Sequence, residues 1–268
     1  MPILGIDYEK CNRCDICITT CPRRLFKVDG GENLKYEDPN LMCIRCGHCI
    51  AICPEDAVLF EDMGEIYEFK GINKPEEIIS YDDLYPFFQA HRSVRKYKEE
   101  KVSSDLLQKV FTAMQCAPTG RNMRSESFMI ISDKEQMKIL SDTIQETITN
   151  DKAWGWLYGE RLAYLAKEFE VPVYFNAPHV IIVYSQLYNV IGIQNIANIV
   201  TYGRLAAHSL GLGTCWNGWT QVGMELDPKI MKLARIRAKQ LGAFTIGYPD
   251  ETFYRTPPRP FKHFKGFN

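Results

Sequence analysis

CNRCDICITTCP at residues 11–22 and CIRCGHCIAICP at residues 43–54 decide how this chain is read. Cys11, Cys14, Cys17 and Cys21 precede Pro22, and Cys43, Cys46, Cys49 and Cys53 precede Pro54, so the pattern CxxCxxCxxxCP occurs twice. It is the run known for bacterial iron–sulfur ligation. Steps of three let a short loop wrap three thiolates around one face of a cubane. The fourth cysteine, expected at the start of a helix just before the proline, points elsewhere and reaches the other cluster. In this arrangement Cys11, Cys14, Cys17 and Cys53 hold one 4Fe-4S cluster, and Cys43, Cys46, Cys49 and Cys21 hold the second. Structural zinc is the alternative, because CxxC pairs also suit a tetrahedral ion, but zinc ribbons use two separated pairs and have no need of the third, evenly spaced cysteine. Disulfides would require an oxidising compartment and give no reason for two identical quartets. His48 lies between ligands and reads as a neighbour that tunes hydrogen bonding. The other two of the ten cysteines, Cys116 and Cys215, stand in apolar surroundings and read as small buried hydrophobes.

The 268 residues suffice for one small and one medium domain, each with its own core. Hydrophobic residues at 46% and charged residues at 24% are ordinary for a globular protein, and a net charge of -1 gives no reason to expect nucleic acid as a partner. Apolar runs such as VIIVY at 180–184 are too short to span a bilayer, and the N-terminus lacks a signal peptide's apolar core, so a cytoplasmic location with no membrane partner is expected. Residues 1–60 form the expected cluster domain, whose small core the clusters would staple. Residues 61–82, acidic and broken by Gly64, Gly71 and Pro75, read as a linker. Residues 83–268 form the second domain. Here SSDLLQKVFTAMQCAP predicts an amphipathic helix capped by Ser103 or Ser104, while FMII at 128–131, HVIIVY at 179–184 and AFTIGY at 243–248 predict buried strands. A long helix is expected from about Ile193 to Leu210, ended by Gly211. The irregular order of helices and strands, with no GxGxxG after a strand, argues against a Rossmann domain.

Four stretches of the second domain bear on chemistry. HRSVRKY at 91–97 gathers His91, Arg92, Ser93 and Arg95, forked donors and a hydroxyl suited to a phosphate, although a solvated basic face would read the same. APTGRN at 117–122 is a tight turn presenting Thr119 and Asn122. GLGTCWNGW at 211–219 carries Gly211 and Gly213, which either let backbone amides approach a flat ligand or serve as a helix cap ahead of core aromatics. YRTPPRPF at 254–261 holds Arg255 and Arg259 on a stiff tail.

Residues 1–60 resemble a bacterial two-cluster ferredoxin, and the order and spacing of the four later stretches resemble the FMN-dependent nitroreductase family across about residues 84–268. NAPHVIIV at 176–183 adds to the match. The resemblance implies an α+β protein, a ferredoxin-like domain followed by a nitroreductase-fold α/β sandwich. It places the FMN phosphate on His91, Arg92, Ser93, Arg95 and Arg259. Flavin contacts carry over to Pro118, Thr119 and Asn122, and the segment from Gly213 through Thr214, Cys215 and Trp216 to Asn217 would lie against the isoalloxazine ring with a backbone N–H facing flavin N5. The family usually continues its turn as N-x-Q-P-W; this chain has Asn122-Met123-Arg124-Ser125-Glu126, so Arg124 either brings a positive charge to the flavin or pairs with Glu126 at the surface. The aromatic stretch at 151–175, from Trp154 to Phe175, reads as a lid stacking substrate on the flavin or as core and dimer packing.

The resemblance further implies a homodimer with FMN at the subunit interface. The expected activity is an oxidoreductase that passes single electrons from the two 4Fe-4S clusters to FMN and pairs of electrons from flavin N5 to a small organic acceptor of the nitroaromatic, quinone or activated-alkene class. No Ser-His-Asp or Cys-His nucleophile is evident, and none is required. A low-potential donor such as reduced ferredoxin is expected, because attached clusters would be redundant with direct delivery from NAD(P)H. Two readings compete: an electron-transfer or binding module for a partner enzyme, and a flavin enzyme of different chemistry such as reductive dehalogenation or cofactor fragmentation.

Overall fold

The computed structural model describes residues 2–30, 33–188, 190–260, 262–263 and 265–266. Phe261, at the end of the proline-rich stretch, lies outside them. The chain divides into two units, residues 1–78 with 121–123, and residues 79–120 with 124–268.

The first unit is a duplicated motif. Strand β1 (Ile3–Ile6), helix α1 (Ile16–Thr20), strands β2 (Phe26–Asp29) and β3 (Asn33–Tyr36), helix α2 (His48–Ala51) and strand β4 (Val58–Phe60) follow in order, with β1 paired to β4 and β2 to β3, both antiparallel. A shift of 32 residues maps one half on the other, backbone included. Arg13 and Arg45, Asp15 and Gly47, and Arg24 and Asp56 all have left-handed φ between 48° and 71°. Only Gly47 adopts that conformation without a Cβ penalty. Cys21 caps the C-terminal end of α1, and Cys53 follows α2, so each fourth cysteine stands at the end of a helix and not at its start. Ile3, Phe26, Leu34 and Val58 form the small core, packed against Cys17 and Cys49.

The second unit begins with α3 (Tyr81–Ala90), inside the stretch expected to be linker up to residue 82. Ser80 caps it through Asp83 N–H. Helix α4 (Ser104–Gln115) starts on the Ser103 cap. Next come β5 (Ser127–Ile131), α5 (Lys134–Asn150), α6 (Lys152–Glu168), β6 (His179–Ser185), α7 (Gly192–Ser209), β7 (Gly213–Trp216), α8 (Gly218–Leu226), α9 (Pro228–Leu233) and β8 (Gln240–Gly247). The strands form one antiparallel sheet in the order β5-β6-β8-β7. Its apolar residues split by parity, as a sheet covered on both faces requires. Val180 and Ile182 join Leu140, Ile144, Leu162 and Met224 on one face, and Ile181 and Val183 join Met114, Ile196 and Val200 on the other. Helices α5, α6 and α8 cover the first face and α4 and α7 the second, which makes the unit a three-layer α/β sandwich. No helix among the described residues is long and apolar enough to cross a membrane.

Candidate functional site

Cys11, Cys14 and Cys17 of the first quartet line one cavity of the first unit together with Cys53 from the second. A matching cavity is lined by Cys43, Cys46, Cys49 and Cys21. The short helices cause this exchange by carrying each fourth cysteine away from its own loop. Among the described residues no three His, Cys, Asp or Glu side chains converge on a point as a single ion demands. Four thiols around a void instead suit a polyatomic cluster. Burial pushes the Cys17 thiol up to about 11, with Cys11, Cys14 and Cys53 adding repulsion; burial raises Cys49 likewise to about 11, with Cys46, Cys21 and Cys43 contributing. The thiols would therefore need cationic iron to stay ionised. Repeat-equivalent amides hold the crossing cysteines: Leu25 N–H donates to Cys21 Sγ at 3.5 Å and Ala57 N–H to Cys53 Sγ at 3.3 Å.

In the second unit the HRSVRKY segment runs beside β7, with Ser93 bridged to Thr214 and Val94 N–H donating to Thr214 O at 2.9 Å. Gly213 permits this approach: a Cβ there would meet three Val94 carbons at 2.8 Å. Gly211, at φ 75°, is the turn after α7. Gly211 thus ends the helix, and Gly213 lets the HRSVRKY segment pack against β7. Burial lowers His91 to about 4, helped by the positive charges of Arg204, His208, Arg92 and Arg259. Its ring lies 5.4 Å from that of His208, and its Nε2 is buried with no hydrogen-bond partner. Arg204 Nε donates to Thr214 Oγ1 at 3.2 Å, and burial lowers its pKa too. Among the described residues no carboxylate forms an ion pair with His91, Arg92, Arg204 or His208. A partly buried group of cations with an unpaired ring nitrogen is fit to receive a phosphate.

Next to this group opens a cleft of about 490 Å³, lined by Arg95, Phe175, Cys215, Trp216 and Asn217, with Trp154, Tyr158 and Arg161 from α6 and Gly218 and Trp219 from α8. Arg95 stands 5.9 Å over the Phe175 ring, and its N–H donates to Glu251. The rings of Trp154 and Tyr158 stack at 5.8 Å, and Tyr158 meets Trp219 edge-on at 6.2 Å. Asn217 contributes structure: its amide donates to Val173 O at 2.5 Å, its Oδ1 caps α8 by accepting from Thr220 N–H at 2.9 Å, and its own N–H is spent on Ala243 O at 2.7 Å. Gly218 is the first residue of α8, where the helix's first N–H groups have no intrahelical acceptor.

The remaining expected residues are scattered. Pro118 O accepts from Asn198, and Thr119 Oγ1 accepts from Arg124 N–H at 3.2 Å. Residues 121–123 belong to the first unit, where the Asn122 amide donates to Arg45 O at 2.8 Å and Ile44 O at 3.2 Å. Arg124 donates to Gln115 O at 3.0 Å and forms no ion pair with Glu126, which is buried and accepts from Asn195 at 3.0 Å. The 151–175 stretch has three fates: Trp154, Tyr158 and the buried Phe175 line the cleft, Trp156 is 87% exposed, and Tyr174 is core. Cys215 is buried as expected, but Cys116 is exposed because it ends α4. Arg204 and His208 were not singled out from the sequence. Their spacing of four at the end of an otherwise uncharged helix was the available signal.

A nitroreductase family model matches residues 89–248. The chain belongs to the nitroreductase family. A 4Fe-4S dicluster domain model matches residues 3–54, so this nitroreductase carries a ferredoxin-like domain ahead of its α/β sandwich. Residues of the chain are 35% identical over 68 positions to NADH-quinone oxidoreductase subunit I 2 of Geobacter metallireducens, covering 23% of this chain and 52% of that protein. An NADPH-dependent oxidoreductase of Staphylococcus haemolyticus is 24% identical over 189 residues, 68% of this chain and 72% of that one. The chain thus spans about half the length of the first of these relatives. The crystal structure of a nitroreductase with bound FMN from Bacteroides fragilis superposes with a TM-score of 0.56 at 19% identity, over 69% of this chain and 97% of that one, a likeness of fold.

Proposed function

We propose that this nitroreductase-family protein is an oxidoreductase that takes electrons on two 4Fe-4S clusters and delivers them through FMN to a small organic acceptor. The observation that carries the reading is the sorting of eight cysteines into two four-cysteine cavities, in a chain whose other unit joins a cationic cradle to an aromatic cleft. Cys11, Cys14, Cys17 and Cys53 would hold one cluster, and Cys43, Cys46, Cys49 and Cys21 the other. His91, Arg92 and Ser93, with Arg204, His208 and Arg259, would hold the FMN phosphate; Arg95 and the stretch from Gly213 to Gly218 would flank its ring. Bound FMN supplies the exchange between one-electron and two-electron chemistry. The chain's residues would orient it: the cations would hold the phosphate, and the aromatic wall of α6 and α8 would exclude water and stack a planar acceptor. Quinones, nitroaromatics and activated alkenes fit that wall, a low-potential carrier such as reduced ferredoxin is the donor, and the working unit is a homodimer.

The test is anaerobic. Protein reconstituted with iron, sulfide and FMN should bind one FMN and two clusters per chain and, once reduced, should be reoxidised by a quinone or nitroaromatic. Reduced protein that only another protein can reoxidise would favour the electron-transfer module.

A further inference from the structure

The 32-residue repeat that equates the two cysteine loops does not equate their charges. Arg23 and Arg24 follow Cys21-Pro22, whereas Glu55 and Asp56 follow Cys53-Pro54 at the equivalent places. The crossing of the fourth cysteine sends Arg23 and Glu55, the first residue of each pair, to the other repeat's cavity. Asp15 and Glu55 are the charged residues lining the cavity of Cys11, Cys14, Cys17 and Cys53. Arg23 and Arg45 are those lining the cavity of Cys43, Cys46, Cys49 and Cys21. Arg13 is the repeat equivalent of Arg45 but does not line its cavity. Glu55 is held in place by Asn12, whose Nδ2 donates to Oε1 at 2.9 Å.

Backbone amides differ in the same sense. Cys14 N–H is spent on Asn12 Oδ1 at 3.1 Å, while the residue equivalent to Asn12 is Ile44, and Cys46 N–H has no protein acceptor among the described residues. An N–H free to point at a cluster sulfur stabilises the reduced cluster, as do nearby positive charges, and nearby carboxylates destabilise it. One feature opposes the trend: buried Asp38 accepts from Cys43 N–H at 3.0 Å, a single carboxylate against two guanidinium groups. The amides on Cys21 and Cys53 are matched and cancel.

We propose that the two clusters sit at different potentials, the Cys11/Cys14/Cys17/Cys53 cluster lower and the Cys43/Cys46/Cys49/Cys21 cluster higher. An electron given to the first cluster by a low-potential one-electron reductant then passes to the second, the first being reoxidised as the second is reduced. This rests on the reading of the quartets as two 4Fe-4S sites.

The experiment is an anaerobic redox titration of the reconstituted full chain with dithionite and mediators, followed by electron paramagnetic resonance. Two one-electron waves are expected, with at least a tenfold preference for reducing the second cluster, about 59 mV. Arg23→Gln should lower the upper wave alone and Glu55→Gln should raise the lower wave alone. Coincident waves, or an Arg23→Gln shift of the lower wave, overturn the proposal. Iron and sulfide analysis separates the two levels: two intact clusters with coincident waves refute only the potential difference, whereas failure to assemble two clusters refutes the underlying site reading as well.

Discussion

Arg204→Gln tests the phosphate cradle in one substitution. Arg204 is a desolvated cation beside another depressed base, and Thr214 Oγ1 is its one hydrogen-bond partner among the described residues. Glutamine can keep a bond to Thr214 while removing the charge. If Arg204 serves the FMN phosphate, the loss is one charge-assisted hydrogen bond, about 1.5–3 kcal/mol, or a Kd weaker by about 10- to 150-fold. The same change should leave the FMN-free protein no less stable, because an uncompensated buried charge has gone. It should also raise the His91 pKa, because burial, the main cause of its depression, remains but Arg204, the largest charge acting on it, is gone. Calorimetric titration with FMN and with riboflavin, which lacks the phosphate, gives the first number, and the NMR shifts of His91 give the last. Affinity for FMN unchanged within about twofold, or an equal loss for riboflavin, would refute the cradle.

Further outcomes follow from neighbouring features. His91, His179 and His208 are all depressed by burial, so the unfolded chain binds more protons; stability of the FMN-free protein should be full above pH 6.5 and decline as pH falls toward about 4, by about 2 kcal/mol for His91 after solvent screening, measured by denaturant melts across pH. Cys53→Ser, although in the second quartet, should remove the cluster otherwise held by the first and roughly halve bound iron, whereas loss of the second cluster's signal would refute the crossing. Asn217→Ala should cost about 1–2 kcal/mol in a urea melt, because the α8 cap and the bond to Val173 vanish together.

Local patterns were legible in the sequence where they directly determine structure. The quartets are read from spacing alone, continuous apolar runs give FMII and HVIIVY as buried strands, and Gly211 marks the end of the long helix from about Ile193. Gly64, Gly71, Pro75 and the absence of a sustained period extend the linker reading to residue 82, yet the Ser80 cap and the first-turn acids Asp82 and Asp83 start α3 at Tyr81, with Pro86 inside the helix. Arg204 and His208 were lost for a different reason. On α7 they belong to a core helix, and only its packing beside β7 turns them toward His91. The two readings of Gly213 could not be separated without knowing that Val94 fills the space a side chain would need.

The most direct test of the account is whether the clusters feed the flavin. Fully reconstituted protein, mixed anaerobically with a reduced low-potential ferredoxin, should show cluster reduction followed by flavin bleaching. The Cys53→Ser chain, still holding FMN, should bleach far more slowly. Equal flavin reduction with and without intact clusters would contradict it.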